Sequence, residues 1–489
     1  MAHEHHFLCR FSGTLSTKSS SVRQRMGRKL EGNIHRTLKD AGVDYTLERE
    51  WARIFVVSSD ERTADLLARI PGIQSVRKAE RHPWASIDDI VERGAELFSD
   101  RVEGGSFAVR TDRVGQRDRF DFESPDVDRR LGAELGKTGA EVDLDDPDVE
   151  VGLEVHYDHV FFYTDDVPGP GGLPVGMEGR ALALVSGGFD STVAAAEVLK
   201  RGVELEFLFF NLAGPAQIRG ARQVMRAFGD RWLRSYEPTI HIVDFRPVVA
   251  DIKADAPGEY WQLLLKRLMM RAGSAVADDI RAQALVTGEA IGQVSTQTLH
   301  NLSAVERSID TPILRPLIST NKEAIIEQAR RIGTHDASKS VPEFCALDGG
   351  APITRAPADK LDAFEEHLDE AVFDRLIDER QSDNLRAWSQ RDDVEALHVD
   401  RIPDSAEVLD VRTEEAFRQW HVPDAMHVPF EVALDQYAAL PRQPEWVICC
   451  EVGLKSELIA ERMNRDGFDA RSLDGGIAAL RSRSRPGTE

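Results

Sequence analysis

The sequence predicts a multidomain α/β protein in which a basic α+β front precedes two further α/β sheets. Three observations predict it. At 489 residues the chain exceeds what one hydrophobic core organises, and length alone suggests roughly three or four domains. After residue 180, fully apolar strand-like runs alternate with helix-like runs, the pattern of a parallel, doubly wound sheet covered on both faces. Between the halves lies a Pro/Gly run, Pro168 to Gly176 (PGPGGLPVG), which cannot hold regular structure and marks a boundary.

The elements follow in order. HHFLCRFSG alternates as a strand, SVRQRMGRKLEGNIHRTLKDAG is a basic helix and RIFVVSS (53–59) a second strand, together a small α+β unit. Helix-like ADLLARI and IDDIVERGAELFSD repeat the theme, with strand-like SFAVRTDR, EVGLEVHYD and HVFFYTDD. Then come strand ALALVSGG, helix STVAAAEVLKRG, strand ELEFLFFN, helix QVMRAFGDRWLRSY, strand TIHIVDF, a long helix around YWQLLLKRLMMRAGSAVADDI and strand QALVTG. The acidic stretch 361–400 reads as a terminal helix plus linker. Beyond it, strands EVLDVR and WVICCE and helix SELIAERMNRDG form a shorter α/β pattern.

A net charge of −23 argues at first against a nucleic-acid partner, because phosphate neutralisation drives most such binding. The distribution softens that objection. Residues 10–39 carry eight basic side chains (Arg10, Lys18, Arg23, Arg25, Arg28, Lys29, Arg36 and Lys39) against Glu31, whereas 361–400 carry thirteen acidic and four basic ones. A basic face can bind RNA while the remaining surface repels it. No stretch reaches the ~20 apolar residues of a membrane span, and MAHEHHFLCRFSG lacks a signal peptide's basic start and apolar run. The expected location is the cytoplasm, with no membrane partner. Four cysteines, Cys9, Cys345, Cys449 and Cys450, are too few for a disulfide scaffold; they are either packing or redox and sulfur chemistry.

Two loops carry the chemistry. Ser186-Gly187-Gly188-Phe189-Asp190-Ser191 joins a buried strand to a helix, where successive N–H groups and the helix dipole can cradle an anion. It is neither GxxxxGK[ST] nor GxGxxG; it resembles the pyrophosphate loop (PP-loop) of ATP pyrophosphatases, in which Asp190 would help hold Mg²⁺ against the phosphates. The second loop, Cys450-Glu451-Val452-Gly453-Leu454-Lys455-Ser456, follows a strand and precedes a helix, so a thiolate at Cys450 would meet backbone N–H groups at a helix start. Cys449 completes the strand and Cys9 sits in an alternating one, both as packing.

With these motifs the chain resembles the tRNA 4-thiouridine synthetase family, ThiI, over its whole length. FFNLAGPA, LLKRLMMRA, LVTGEAIGQVSTQTLHNL, ILRPLIST-NKEAII and VPEFCA resemble that family's adenylation domain; LSTKSSSVRQRM and RIPGIQSV resemble its RNA-binding half. CxxGxxS with LDVRTEEAFRQWHVPDAMHVP resembles a rhodanese domain. The resemblance implies a ferredoxin-like unit (1–61), a THUMP domain (62–166), a Pro/Gly linker (167–180), a PP-loop adenylation domain (181–375), an acidic linker (376–400) and a rhodanese-like domain (401–489).

It also implies roles. Leu184, Val185, Ser186, Gly187, Gly188, Ser191, Phe209, Phe210, Lys266, Gly288, Gln297 and Lys322 would form the ATP site. On their own residues, Lys266 also reads as a snorkelling helix lysine and Lys322 as a solvated helix-start lysine. Lys18, Arg23, Arg25, Arg28, Lys29, Arg110 and Arg113 would contact tRNA. Cys450 would carry a persulfide and Cys345 would resolve it as a Cys345–Cys450 disulfide. Val452 departs from the arginine expected by analogy, leaving Lys455 as the nearby cation.

The implied reaction is ATP-dependent conversion of uridine, at position 8 of tRNA, to 4-thiouridine. ATP and Mg²⁺ are substrates, and no tightly bound metal is implied. A cysteine desulfurase would donate sulfur, cellular thiols would reduce the disulfide, and a small sulfur-carrier protein would receive sulfur for the thiamine thiazole; a homodimer is compatible. Rival adenylating enzymes, such as 2-thiouridine enzymes, lack the THUMP-like front and the CxxGxxS tail. An intact SGGFDS and a placed Cys450 oppose a non-catalytic RNA-binding protein.

Overall fold

The computed structural model describes residues 5–50, 53–116, 119–164, 166–212, 214–341, 353–367, 370–391, 397–451 and 453–483. The chain divides into two compact units. The first comprises residues 1–178 with 199–203 and 234–236; the second comprises the rest.

The first unit is built on one nine-stranded sheet. Its strands are β1 (His5–Phe11), β2 (Thr46–Glu50), β3 (Arg53–Ser58), β4 (Ile73–Pro83), β5 (Ser106–Arg113), β6 (Glu141–Val142), β7 (Val149–Val155), β8 (His159–Tyr163) and β9 (Asp166–Pro168). They run in the order β2-β3-β1-β4-β8-β7-β5-β6, with β9 beside β4. The basic helix Ser20–Asp40 buries Met26, Leu30, Ile34 and Leu38, a four-residue spacing that puts one apolar stripe on the sheet. Arg23, Arg25 and Arg28 stay on its wetter side.

Two expectations change here. The sequence predicts two α+β units meeting near residue 61, but β4 pairs with β1 through Ile73–Ala79 and with β8 through Glu80–Pro83, so one strand serves both halves. Its pattern hid because Arg77 occupies a buried position, its guanidinium over the Tyr163 ring at 4.2 Å. The Pro/Gly run also begins inside structure: Val167 and Pro168 pair with Val76 and Ser75 before regular structure stops.

The second unit holds two sheets. The larger contains β10 (Arg180–Val185), β11 (Glu204–Asn211), β12 (Thr239–Asp244), β13 (Leu285–Val286), β14 (Ile313–Leu314) and β15 (Gln381–Asn384). Their order is β14-β13-β10-β11-β12-β15, parallel except where β15 pairs antiparallel to β12. Because β11 and β13 flank β10, strand order reverses at the carboxyl end of β10, the place where open α/β sheets bind ligands. The smaller sheet contains β16 (His398–Val399), β17 (Glu407–Asp410), β18 (Met426–His427), β19 (Glu445–Cys449) and β20 (Asp469–Leu473), all parallel in the order β16-β20-β19-β17-β18. The order reverses between β17 and β19, and β19 ends at Cys449.

The acidic linker expected over 376–400 is shorter than read. Residues 381–384 form β15, and helix Leu385–Ser389 buries Trp388 against Phe209, ring centroids 6.1 Å apart. An exposed edge strand of sequence QSDN carries no apolar signal, so periodicity could not show it.

Candidate functional site

At the carboxyl end of β10 the Ser186–Ser191 loop turns directly into helix Phe189–Leu199. Its own hydroxyls shape it: Ser186 N–H donates to Ser191 Oγ at 3.2 Å and Gly188 N–H to Ser186 Oγ at 3.2 Å. Two glycines allow contacts that no side chain would fit. A Cβ at Gly187 would lie 2.3 Å from Val341 Cγ1, and one at Gly288 would lie 2.6 Å from the Asp190 carbonyl carbon. Gly288 therefore packs the loop after β13 against the phosphate loop, a role that spacing alone did not reveal.

Asp190 is not a free metal ligand in this arrangement. Lys322 Nζ donates to both its carboxylate oxygens at 2.8 and 3.1 Å, and Gln293 Nε2 donates at 2.8 Å. Lys322 also lies over the Phe189 ring, 5.7 Å from its centroid. A cation and a carboxylate thus meet beside the anion nest, across 132 positions of sequence. Among the described residues no group of three or more His, Cys, Asp or Glu could hold a metal ion. The Asp190 carboxylate is engaged by Lys322 and Gln293.

The other expected nucleotide residues fall into two groups. Val185, Phe209 and Phe210 are buried in the sheet, with Phe210 packed on Phe245 at 4.8 Å, so their side chains are committed to the core. Leu184 is half-buried. Lys266 belongs to a polar network: it lies 3.4 Å from Glu289, which also takes Arg315 Nε at 3.0 Å and the Thr287 hydroxyl at 3.3 Å. Gln297 is buried, and its Oε1 has no hydrogen-bond partner among the described residues.

Cys450 follows β19 at the start of helix Leu454–Arg465. Its sulfur accepts the Gly453 N–H at 3.1 Å and lies 3.3 Å from Ser456 Oγ. Ser456 also lies 2.8 Å from Ser472 Oγ and 2.9 Å from the Gly453 carbonyl. One hydroxyl proton cannot serve all three; when sulfur is anionic Ser456 donates to it, and Ser472 satisfies the Gly453 carbonyl at 3.1 Å. Behind the loop, Ile477 N–H donates to the Cys450 carbonyl at 2.9 Å. Gly476 (φ +62°) permits this approach, since a Cβ there would lie 2.4 Å from that oxygen.

Cys450 lines a cavity of about 550 Å³ walled from the sides of both sheets of the unit. Arg412, Thr413, Phe430 and Lys455 come from the smaller one, and Asp336, Lys339 and Ser340 from the segment that ends at Val341. Arg412 is fixed by Asp410 at 2.7 Å and reaches Glu451 at 3.4 Å. Lys455 Nζ sits 4.7 Å from the Phe430 ring centroid. The segment 336–340 carries no site signal in the sequence; it belongs to the short helix His335–Ser340. Cys345, and with it the expected disulfide, lies outside the described residues, as does Val452.

In the first unit Lys18, Arg25 and Arg28 are exposed and Arg23 and Lys29 half-buried. Arg23 and Arg28, with Ser20, Gln24 and Arg49, line a cavity of about 360 Å³. Arg110 and Arg113 are already engaged. Arg110 pairs with Glu150 at 2.9 Å and donates to the Leu144 carbonyl at 2.7 Å. Arg113 is buried against Glu123 and the Phe122 carbonyl.

Comparison with known proteins agrees with this layout. Family models match in four consecutive blocks: the ThiI ferredoxin-like domain over residues 6–76, the THUMP domain over 85–165, the thiamine biosynthesis protein (ThiI) over 176–369 and the rhodanese-like domain over 393–483. The tRNA sulfurtransferase of Edwardsiella ictaluri (strain 93-146) is 36% identical over 476 residues, covering 95% of this chain and 98% of its own. That of Shigella dysenteriae serotype 1 (strain Sd197) is 36% identical over 476 residues with the same coverage. Among solved structures, a 4-thiouridine synthetase–RNA complex with bound ATP superposes with a TM-score of 0.67 at 28% identity, covering 78% of this chain and 99% of that one.

Proposed function

The chain belongs to the tRNA sulfurtransferase family, and from that premise we propose that it makes 4-thiouridine in tRNA by coupling uridine adenylation to sulfur transfer from Cys450. The observation that carries this reading is the cavity at Cys450. Its sulfur is held at a helix start by Gly453 and Ser456, and Cys450 shares the cavity with Lys339 and Ser340, the two residues that precede the Val341 touching the phosphate loop. Similarity to an ATP-bound synthetase–RNA complex supports ATP and RNA as the substrates.

In the first step uridine O4 attacks the α-phosphorus of ATP and pyrophosphate leaves. The N–H groups of the 186–191 loop bind phosphate oxygens, and Lys322 balances charge beside them, so the leaving group departs into a fixed field. The uridine oxygen now leaves as AMP rather than hydroxide. A cysteine desulfurase supplies sulfur to Cys450 as a persulfide. Its terminal sulfur attacks C4 and expels AMP, leaving the base disulfide-bonded to Cys450. Thiolate attack by Cys345 on the Cys450 sulfur then releases 4-thiouridine and forms a Cys345–Cys450 disulfide, which a cellular thiol reduces. In the alternative route Cys345 attacks first and frees sulfide, which attacks C4. Cys345 follows Val341 by four residues, which supports its use here.

The exposed arginines of helix Ser20–Asp40 would contact tRNA phosphates. The match to a thiamine biosynthesis protein model supports a second role, passing the same sulfur to a small carrier protein for the thiazole. The test of the sulfur assignment is Cys450→Ala: tRNA thiolation disappears while ATP-dependent AMP formation remains. Thiolation retained by that variant sinks it.

A further inference from the structure

Helix Pro215–Trp232 of the larger sheet meets helix Leu454–Arg465 of the smaller sheet through buried charge. Arg219, on the first, pairs with Glu457, whose side chain is fully buried, and lies 4.0 Å from Glu461. Ala216 N–H, one of the unpaired donors of the first turn, donates to Glu461 Oε1 at 2.7 Å. Ala216 itself packs within the apolar cluster of Leu409, Ile459 and Met463. An apolar contact of this size could slide. A buried cation beside two carboxyl groups cannot without stranding a charge, and buried ionic groups of this kind fix register in some proteins.

Both ends of this contact lead to chemistry. Glu457 follows Ser456, whose hydroxyl touches the Cys450 sulfur. On the other helix Gly220 packs on Val341, where a Cβ would lie 2.9 Å from Cγ1, and Val341 packs on Gly187 of the phosphate loop. We infer that Arg219, with Glu457, is a positioning residue that fixes the sulfur-carrying loop relative to the adenylation loop, and that it acts on sulfur transfer rather than on either half-reaction.

The inference rests on the function proposed above, and the experiment separates the two. With the full chain, Arg219→Ala, Arg219→Lys and Glu457→Gln, three quantities are measured: charging of Cys450 by a cysteine desulfurase, AMP formation with unmodified tRNA, and single-turnover 4-thiouridine formation from pre-charged protein. Charging and AMP formation should stay within about twofold in Arg219→Ala, while transfer falls by about tenfold or more, as expected for a misplaced reacting group. Arg219→Lys should recover part of the loss. Unchanged transfer in Arg219→Ala overturns the inference, and so does a fall that merely tracks charging or AMP formation, which marks a structural role. A parent chain that forms AMP but no 4-thiouridine overturns the functional reading itself, and with it this inference.

Discussion

Cys449 and Cys450 are neighbours in sequence and point into different surroundings. Cys449 lies in the apolar cluster of Val408, Val447, Leu473 and Ile477, and burial pushes its thiol well above the ordinary range, as it does for Cys9. Cys450 has an N–H, a hydroxyl and a cavity. Iodoacetamide at neutral pH should therefore alkylate Cys450 in the folded chain and spare Cys9 and Cys449, read by peptide mass spectrometry; preferential labelling of Cys449 contradicts this. Lys322→Ala leaves the Asp190 carboxylate with Gln293 alone. AMP formation should fall by about 10²-fold, the scale for removing one charge-stabilising donor, with Cys450 charging untouched; normal AMP formation would remove Lys322 from the site. Cys450 and the 186–191 loop were legible in the sequence because each is a short contiguous signal between a strand and a helix. Their partners carry no local signal: Lys322 and Gly288 are expected only through the family resemblance and Val341 not at all, because they reach the phosphate loop from distant elements that the folded sheet brings together.

Among the elements, those with strong periodicity were read correctly: the basic helix Ser20–Asp40, strands β10 to β12, and helix Trp261–Ile280. Helix Ser124–Leu135 was passed over, although Val127, Leu131 and Leu135 recur every four residues behind a capping box. The signal was present but diluted by five charged residues. The contact between helices Pro215–Trp232 and Leu454–Arg465 has its own pH signature. Burial pushes the Glu461 carboxyl up to about 7, against the pull of the Ala216 N–H and Arg219. A carboxyl raised on folding gives its stability fully below its unfolded value of 4.5 and loses it as pH rises through about 7. Glu461→Gln keeps an acceptor for Ala216 and removes the titration. Its thermal midpoint should vary less than the parent's between about pH 5 and 7.5 and lie higher at about pH 8, by an amount equivalent to roughly 1–3 kcal/mol. A midpoint with the parent's pH dependence would show that Glu461 is ionised throughout.

On the scale of the whole molecule, an acidic chain must still hold a polyanion. With 84 acidic against 61 basic residues the net field repels a polyanion, so the RNA contact proposed for helix Ser20–Asp40 depends on a local basic face. Arg25→Ala and Arg28→Ala should each weaken tRNA binding and lower the slope of log affinity against log salt by about one. A slope unchanged in both variants would place the RNA elsewhere. The order of domains was legible because composition and punctuation shift along the chain. The continuity of the first unit's sheet through β4 was not, since a strand shared by two halves leaves no break to read.

The most direct measurement is tRNA thiolation with purified protein, unmodified tRNA, Mg-ATP, cysteine and a cysteine desulfurase, with thionucleoside and AMP quantified together. 4-Thiouridine should form only when ATP is present, with one AMP released per thionucleoside, and none should form with Cys450→Ala. Thionucleoside formed without ATP, or formed by Cys450→Ala, would contradict sulfur transfer from Cys450 to an adenylated uridine.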